Sequence, residues 1–313
     1  MSSPLSLADT TNGLGAVREV SDGVFAYVQP DGSWWINNTG FVVGSKGVAA
    51  IDACSTERRT RGLIDAIRST TPAPVRTLVN THHHGDHTYG NYLFDTATIV
   101  AQEQCRTEIL EAGLPASAPT WTDVEWGNIE LAPPFLTYED KVNLYVDDLK
   151  CEVRYVGTPA HTTNDSVVWI PERSTLFCGD LLFEGGTPFL LMGSIAGAVE
   201  VLEGLKKLDA QTIVPGHGAV SGPALIDTIL GYLAFVQSVA RHGQSAGLTP
   251  LEAARETDLG EYAELLDAER IVGNLHRAYA ELDGAERGAR IDVPAAFADM
   301  VTYNGGQPLT CHA

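Results

Sequence analysis

Blocks of apolar residues divide the chain into two kinds of territory. Short apolar runs rich in β-branched and aromatic residues come first: VFAYVQ (24–29), TGFVVG (39–44) and GVAAID (47–52). Gly, Asn and Asp fill the gaps between them, so these runs read as strands joined by hairpin turns. Ser55-Thr56-Glu57 then opens a helix to Ser69, with Leu63, Ile64 and Ile67 as its apolar stripe. VRTLVN (75–80) reads as a buried strand and ATIVAQ (97–102) as another, followed by a helix to about Gly113. Residues 114–147 break the pattern, with four prolines, Trp121, Trp126 and Phe135 but little period. A long irregular segment of this kind predicts a lid over a functional site, or a surface insertion packed by its own aromatics.

The β pattern returns at CEVRYVG (151–157), DSVVWIP (165–171) and STLFCGD (174–180). A helix near 197–208 and a strand TIVPG (212–216) follow. Beyond residue 221 the pattern is helical, at 222–242, 249–256, 259–283 and 294–302. Strands and helices alternating in two halves predict a layered α/β sandwich with a helical C-terminal cover.

Composition narrows the reading further. The chain has 313 residues and is 44% hydrophobic, enough to bury a core without disulfides. Its five cysteines, Cys54, Cys105, Cys151, Cys178 and Cys311, are odd in number and widely spaced, as free thiols in a reducing compartment would be. The first 20 residues lack a basic start and an apolar core, and no apolar run approaches the roughly 18 residues that span a bilayer. The expectation is a cytoplasmic enzyme without a membrane partner. Net charge is −20, a field that repels phosphate backbones and speaks against a nucleic-acid partner.

One stretch carries the chemistry. THHHGDHTYGN, from Thr81 to Asn91, sets four histidines and an aspartate directly after a predicted buried strand. His82 and His84 are two apart and share one side of an extended segment, with His83 on the other. Asp86 and His87 follow on the turn after Gly85. Imidazole and carboxylate donors together suit Zn2+, and iron and manganese accept similar sets. Further donors sit at strand ends beside small residues: His161 in GTPAHTTND, Asp180 in LFCGDLLF and His217 in VPGHG. His242, His276 and His312 fall in the helical region or the tail and read as ordinary polar residues.

In this order the residues resemble the metallo-β-lactamase superfamily: Asp52 at the end of VAAIDA, then His82-x-His84-x-Asp86-His87, His161, Asp180 and His217, across residues 24 to about 220. The resemblance implies an αββα sandwich, with a catalytic domain over 1–220 and a helical C-terminal extension over 221–313 packed on it. It implies two metal ions, expected to be Zn2+. His82, His84 and His161 would hold the first, and Asp86, His87 and His217 the second. Asp180 would bridge them, and Asp52 would orient a ligand from behind. A hydroxide shared by two such ions attacks an acyl carbonyl, with Asp86 and Asp180 as the catalytic carboxylates.

The substrate is read from finer likenesses. The stretch CGDLLFEGGTP (178–188) is similar to glyoxalase II, a thioester hydrolase. The basic residues of the helical part, Arg270, Arg277, Arg287 and Arg290, are scattered, which speaks against glutathione. Homoserine-lactone lactonases of the superfamily carry a tyrosine where this chain has Phe183. The run IVGNLHRAYAELDG and the ending MVTYNGGQPLTCHA resemble the cyclases and thioesterases of aromatic polyketide pathways. That likeness implies a small-molecule acyl substrate, an aromatic poly-β-ketone chain held as a thioester on an acyl carrier protein and released by hydrolysis, with or without ring closure. A lactonase or a general ester or thioester hydrolase is the alternative. Trp34, Trp35, Phe183, Phe189, Leu191 and Met192 are the candidate apolar pocket. Residues 189–192 equally suit core packing or a homodimer contact. Arg58, Arg59 and Arg61 are a candidate basic face for an acidic carrier.

Overall fold

A computed structural model describes residues 14–115 and 119–313. Part of the stretch read for an export signal, residues 1–13, lies outside the described residues, as do 116–118 of the irregular segment. Two mixed sheets face each other. The first has the strand order β1 (Ala16–Ser21), β2 (Val24–Val28), β3 (Thr39–Val43), β4 (Val48–Ile51), β5 (Val75–Val79), β6 (Thr98–Gln102) and β7 (Leu136–Tyr138). Its first four strands are antiparallel neighbours and its last four parallel ones. The second has β8 (Lys141–Val146) at one edge, then β9 (Leu149–Tyr155), β10 (Ser166–Ile170), β11 (Thr175–Phe177) and β12 (Thr212–Val214).

The period of two decides which side chain enters which layer. Ala26, Val42, Ile51, Val79 and Val100 meet Val153, Val168, Phe177 and Val214 between the sheets. Their chain neighbours Tyr27, Phe41, Ala50, Leu78 and Ile99 point outward, onto Leu63 and Ile67 of α1 (Glu57–Thr70). That helix starts where Thr56 accepts a hydrogen bond from the Arg59 N–H. At Gly40 the sheets come so close that a Cβ would sit 2.1 Å from the Phe177 ring, so only glycine fits there.

Two short-range elements follow in the first half: a single turn α2 (Gly85–Thr88) and α3 (Glu103–Ala112). The outer face of the second sheet is covered by α4 (Ile195–Leu205), α5 (Ala224–Ser245), α6 (Pro250–Glu256), α7 (Arg270–Leu282) and α8 (Val293–Tyr303). They share one apolar cluster with Trp169, Leu176 and Ile213 of that sheet. The result is the αββα layering expected. By length and composition α5 could cross a membrane. Here it buries Ile229, Leu233, Val236 and Ala240 within this cluster.

Three expectations need correction. The segment 114–147 is not wholly irregular, since it contains β7 and all of β8. β8 is an edge strand whose residues alternate between exposed and half-buried, a pattern KVNLYV carries but the surrounding prolines and turns obscure. The helix expected over 259–283 begins only at Arg270. Gly260 (φ 53°) and Asp267 (φ 56°) adopt left-handed backbone, which no continuous α-helix accepts. Between them Leu266 pairs its backbone with Gly185 and Thr187 instead. β1 was not anticipated; it pairs with β2 at the exposed edge of the first sheet.

Candidate metal centre

Parallel strands end together, and the chemistry sits where they end. β4 delivers Asp52, β5 delivers Thr81 and His82, β11 delivers Asp180, and β12 delivers His217. α2 supplies Asp86 and His87 one turn beyond His84. His161 comes from the loop between β9 and β10. All seven donors converge as two overlapping groups: His82, His84, His161 and Asp180, and Asp86, His87, Asp180 and His217. Within each group one donor atom per residue lies within 4.8 Å of the others, and Asp180 belongs to both. Among the described residues no other such group of three or more occurs. His276 instead pairs with Asp299 at 2.8 Å.

The donors face inward because their outer atoms are held. His87 Nδ1 lies 2.9 Å from Asp52 Oδ2, His217 Nδ1 3.1 Å from the Gly32 carbonyl and His82 Nδ1 3.1 Å from Thr81 Oγ1. His161 Nδ1 bonds the Phe189 carbonyl. His84 is reversed: its Nε2 lies 3.4 Å from the Met192 sulfur and its Nδ1 2.9 Å from His161 Nε2. Each imidazole is thereby fixed with one nitrogen turned to the centre. Asp52 has φ 60° and accepts from both the N–H (2.7 Å) and the hydroxyl (2.8 Å) of Thr81. It thus ties the end of β4 to the end of β5.

The centre fits cations on its own evidence. His82 Nε2, His87 Nε2 and Asp180 Oδ1 are buried without a hydrogen-bond partner, a costly state for polar atoms. His87 Nε2 and Asp180 Oδ1 are 3.0 Å apart yet not aligned as a hydrogen bond. His161 and His217 each place Nε2 within 3.4 Å of Asp180 Oδ2. Burial pushes the Asp180 carboxyl up, but His217, His87 and His161 outweigh it and hold it well below the usual carboxylate range. Burial and neighbouring imidazoles drive His82 and His84 down, so both are neutral donors. His217 is raised to about 9: burial lowers it, and Asp180 and Asp86 more than compensate. A cation entering this group displaces such a proton.

Above the centre opens a cleft of about 1030 Å3, its mouth in open solvent included. Its walls are aromatic. Trp34 meets Phe189 and Trp121 edge-on at 4.9 and 5.0 Å, and Trp35 meets Trp121 at 5.5 Å. Tyr89 and Phe297 complete the lining, and the Phe183 ring stacks on His217 at 5.0 Å. Of the six candidate pocket residues, Trp34, Trp35, Phe183, Phe189 and Met192 reach this cleft. Leu191 does not; it is fully buried in the core beneath. Its alternation with Leu190 and Met192 in an irregular loop gave no reliable facing. Trp34 and Trp35 lie in the β2–β3 connection rather than on a strand, and Trp35 has φ 70°. Tyr89, Phe297 and Arg270 were missed. Only proximity to the histidine run could have flagged Tyr89, and nothing local flags the other two.

Of the candidate basic face, Arg58 and Arg61 are exposed and Arg59 is not. Arg59 is buried and bonds the Gln29 side chain and the His312 carbonyl, while Arg61 pairs with Glu57 at 2.7 Å. The C-terminal arginines are engaged as well. Arg287 binds Glu200 and Arg290 binds Glu111. Arg270 and Arg277 are buried.

The sequence profile of the metallo-β-lactamase superfamily matches residues 32–217, more than half of the chain, and the chain belongs to that superfamily. It is 34% identical over 140 residues to a hydroxyacylglutathione hydrolase of Rhodospirillum rubrum, a match covering 45% of this chain and 46% of that one. The chain thus spans about half the length of that relative. It is 26% identical over 226 residues to a type 2 metallo-β-lactamase of Bacteroides fragilis, covering 68% and 82%. A solved metallo-β-lactamase from Pontibacter korlensis superposes with a TM-score of 0.58 at 20% identity, over 70% of this chain and 99% of that one. That likeness concerns the fold.

Proposed function

We propose that this protein is a dinuclear metal-dependent hydrolase that cleaves thioesters carrying a bulky, aromatic acyl group. The observation that carries the reading is the floor and walls of one cleft: two donor groups sharing Asp180, beneath a lining of aromatic rings. His82, His84, His161 and Asp180 would hold one cation, and Asp86, His87, His217 and Asp180 the other. The mixed imidazole and carboxylate set suits Zn2+, and iron or manganese next. Bound there, such ions acidify a water and polarise the acyl carbonyl.

The chain's own groups divide the remaining work. Asp52 is saturated by Thr81 and His87 and moves no proton. The Asp86 side chain is the more open of the two central carboxylates, 13% exposed against 5% for Asp180. Asp86 turns Oδ2 to His217 Nε2 at 3.3 Å, which leaves its other carboxylate oxygen to take a proton from the attacking water. The tryptophan walls hold the acyl group over this floor and keep bulk water out. Thioester cleavage is supported by the hydroxyacylglutathione hydrolases among the relatives. Glutathione itself is not favoured, because Arg270 and Arg277 are buried and Arg287 and Arg290 are paired with carboxylates.

A second reading has one observation behind it. The aromatic lining also suits a carrier-bound aromatic polyketide, with release and ring closure in the same cleft. The test is a thioester panel on zinc-loaded protein, comparing acetyl, naphthoyl-type and acylglutathione substrates, with products followed by mass spectrometry. The reading expects the aromatic acyl group to be preferred in kcat/KM and all turnover to stop on chelation. Turnover that survives chelation, or a preference for acetyl, refutes it. A cyclised product from a poly-β-ketone thioester would favour the second reading.

A further inference from the structure

Helix α7 carries Arg270, Asn274, Arg277 and Glu281 at spacings of four, three and four residues, which places them on one face. Such a polar stripe ordinarily meets solvent. This one is buried: Asn274 is 0% exposed and each arginine 1%. It faces the loop after the bridging aspartate. Arg270 Nη1 donates to the Thr187 carbonyl (2.9 Å). Asn274 Nδ2 donates to the Pro188 carbonyl and its Oδ1 accepts from the Leu190 N–H, both at 2.8 Å. Arg277 donates through Nε and Nη2 to the Leu191 carbonyl (3.0 and 2.9 Å). Glu281 accepts from the Ile195 and Ala196 N–H groups at the start of α4. The loop has no strand partner, so its buried backbone groups need donors and acceptors from elsewhere. Gly273 lets the helix approach; a Cβ there would lie 2.8 Å from the Phe189 ring.

The carbonyl between these anchors is turned the other way. Phe189 O bonds His161 Nδ1, and Met192, just beyond the loop, sets its sulfur 3.4 Å from His84 Nε2. Two of the three imidazoles of the first donor group therefore rest on this loop. The ring nitrogens of the second group rest on Asp52 and Gly32; α7 reaches that side only through Arg270, over the Phe183 ring that stacks on His217, and not through Asn274 or Arg277.

We propose that the polar ridge of α7, centred on Asn274, is a positioning element for the first metal site. It clamps loop 187–191 so that Phe189 and Met192 fix His161 and His84. The inference rests on the dinuclear reading above, and it adds an asymmetry: α7 governs one of the two sites.

The experiment titrates zinc into the apo-protein against a chromophoric chelator and resolves the binding steps. Asn274→Asp keeps the acceptor for Leu190 and loses the donor to Pro188. Arg277→Lys is the milder variant, should the first fail to fold. Each is also made in a His217→Ala background, where the second group is disabled. The expected result is one step weakened by roughly 10- to 100-fold, the other within about twofold, and the weakened step being the one that survives in the background variant. Equal weakening of both steps, tracking a lower thermal midpoint, would show a purely structural ridge and overturn the proposal. So would two unchanged steps. A wild-type protein that binds no zinc would instead refute the metal reading itself.

Discussion

Replacing Asp52 by Asn tests whether the second metal site is built by its supports. Asp52 takes a left-handed backbone, φ 60°, which Asn also tolerates, so the swap adds no backbone strain. Its Oδ1 keeps the Thr81 N–H. Its other terminus becomes an NH2 facing Thr81 Oγ1 at 2.8 Å and His87 Nδ1 at 2.9 Å. The Thr81 hydroxyl can rotate to accept. His87 can accept only with its proton on Nε2, the nitrogen that faces Asp180 Oδ1, so a cation there no longer has Nδ1–H held by a carboxylate behind it. The loss is one charge-assisted hydrogen bond, about 1.5–3 kcal/mol. At about 1.4 kcal/mol per tenfold, zinc affinity of that site should fall roughly 10- to 150-fold. The assay is the same stepwise titration of apo-protein. The first group, whose imidazoles rest on Thr81, Phe189 and Met192, should bind as before. Equal loss in both steps, or none, would refute the claim that Asp52 acts through the His87 tautomer.

Three further outcomes are expected. Asp180→Asn should abolish both binding steps together; a variant retaining one full step by metal analysis would show that the carboxylate is not shared. Trp35→Ala removes a ring from the cleft lining, and with it one or two ring contacts to an aromatic acyl group, each worth about 0.5–1.5 kcal/mol. KM for an aromatic acyl thioester should rise roughly 5- to 100-fold while that for an acetyl thioester barely moves, and equal effects on the two would remove the ring wall from substrate selection. Burial pushes the Cys54 and Cys151 thiols up to about 12, and Cys105 and Cys178 are buried as well. A disulfide-exchange reagent at neutral pH should therefore reach at most Cys311 until denaturant is added; fast labelling of several thiols would contradict this burial.

The donor set could be read from the sequence because its spacing is local. His82, His84, Asp86 and His87 lie within one strand-to-helix turn, and His161, Asp180 and His217 each follow an apolar strand. The layers were legible for the same reason, since β2 to β6 and β9 to β12 carry period-two or continuous apolar runs. What escaped depends on partners far along the chain. Arg270, Asn274 and Arg277 read as an ordinary polar helix face, because nothing near them reveals that a bare loop backbone lies opposite. The start of α7 was misplaced because Asp267 can enter left-handed backbone without being glycine. Phe297 and Leu191 look alike as apolar residues, yet one lines the cleft and the other lies under it.

Tyr89, Phe183 and Phe189 neighbour the donors, but four of the rings that shape the cleft come from stretches of their own: Trp34 and Trp35 before β3, Trp121 beyond α3, and Phe297 on α8. None of these stretches contributes a metal donor. Much of the selectivity is thus encoded apart from the reactivity in the gene. A lineage could exchange one wall for another, and so acquire a new acyl group, without first passing through an inactive centre.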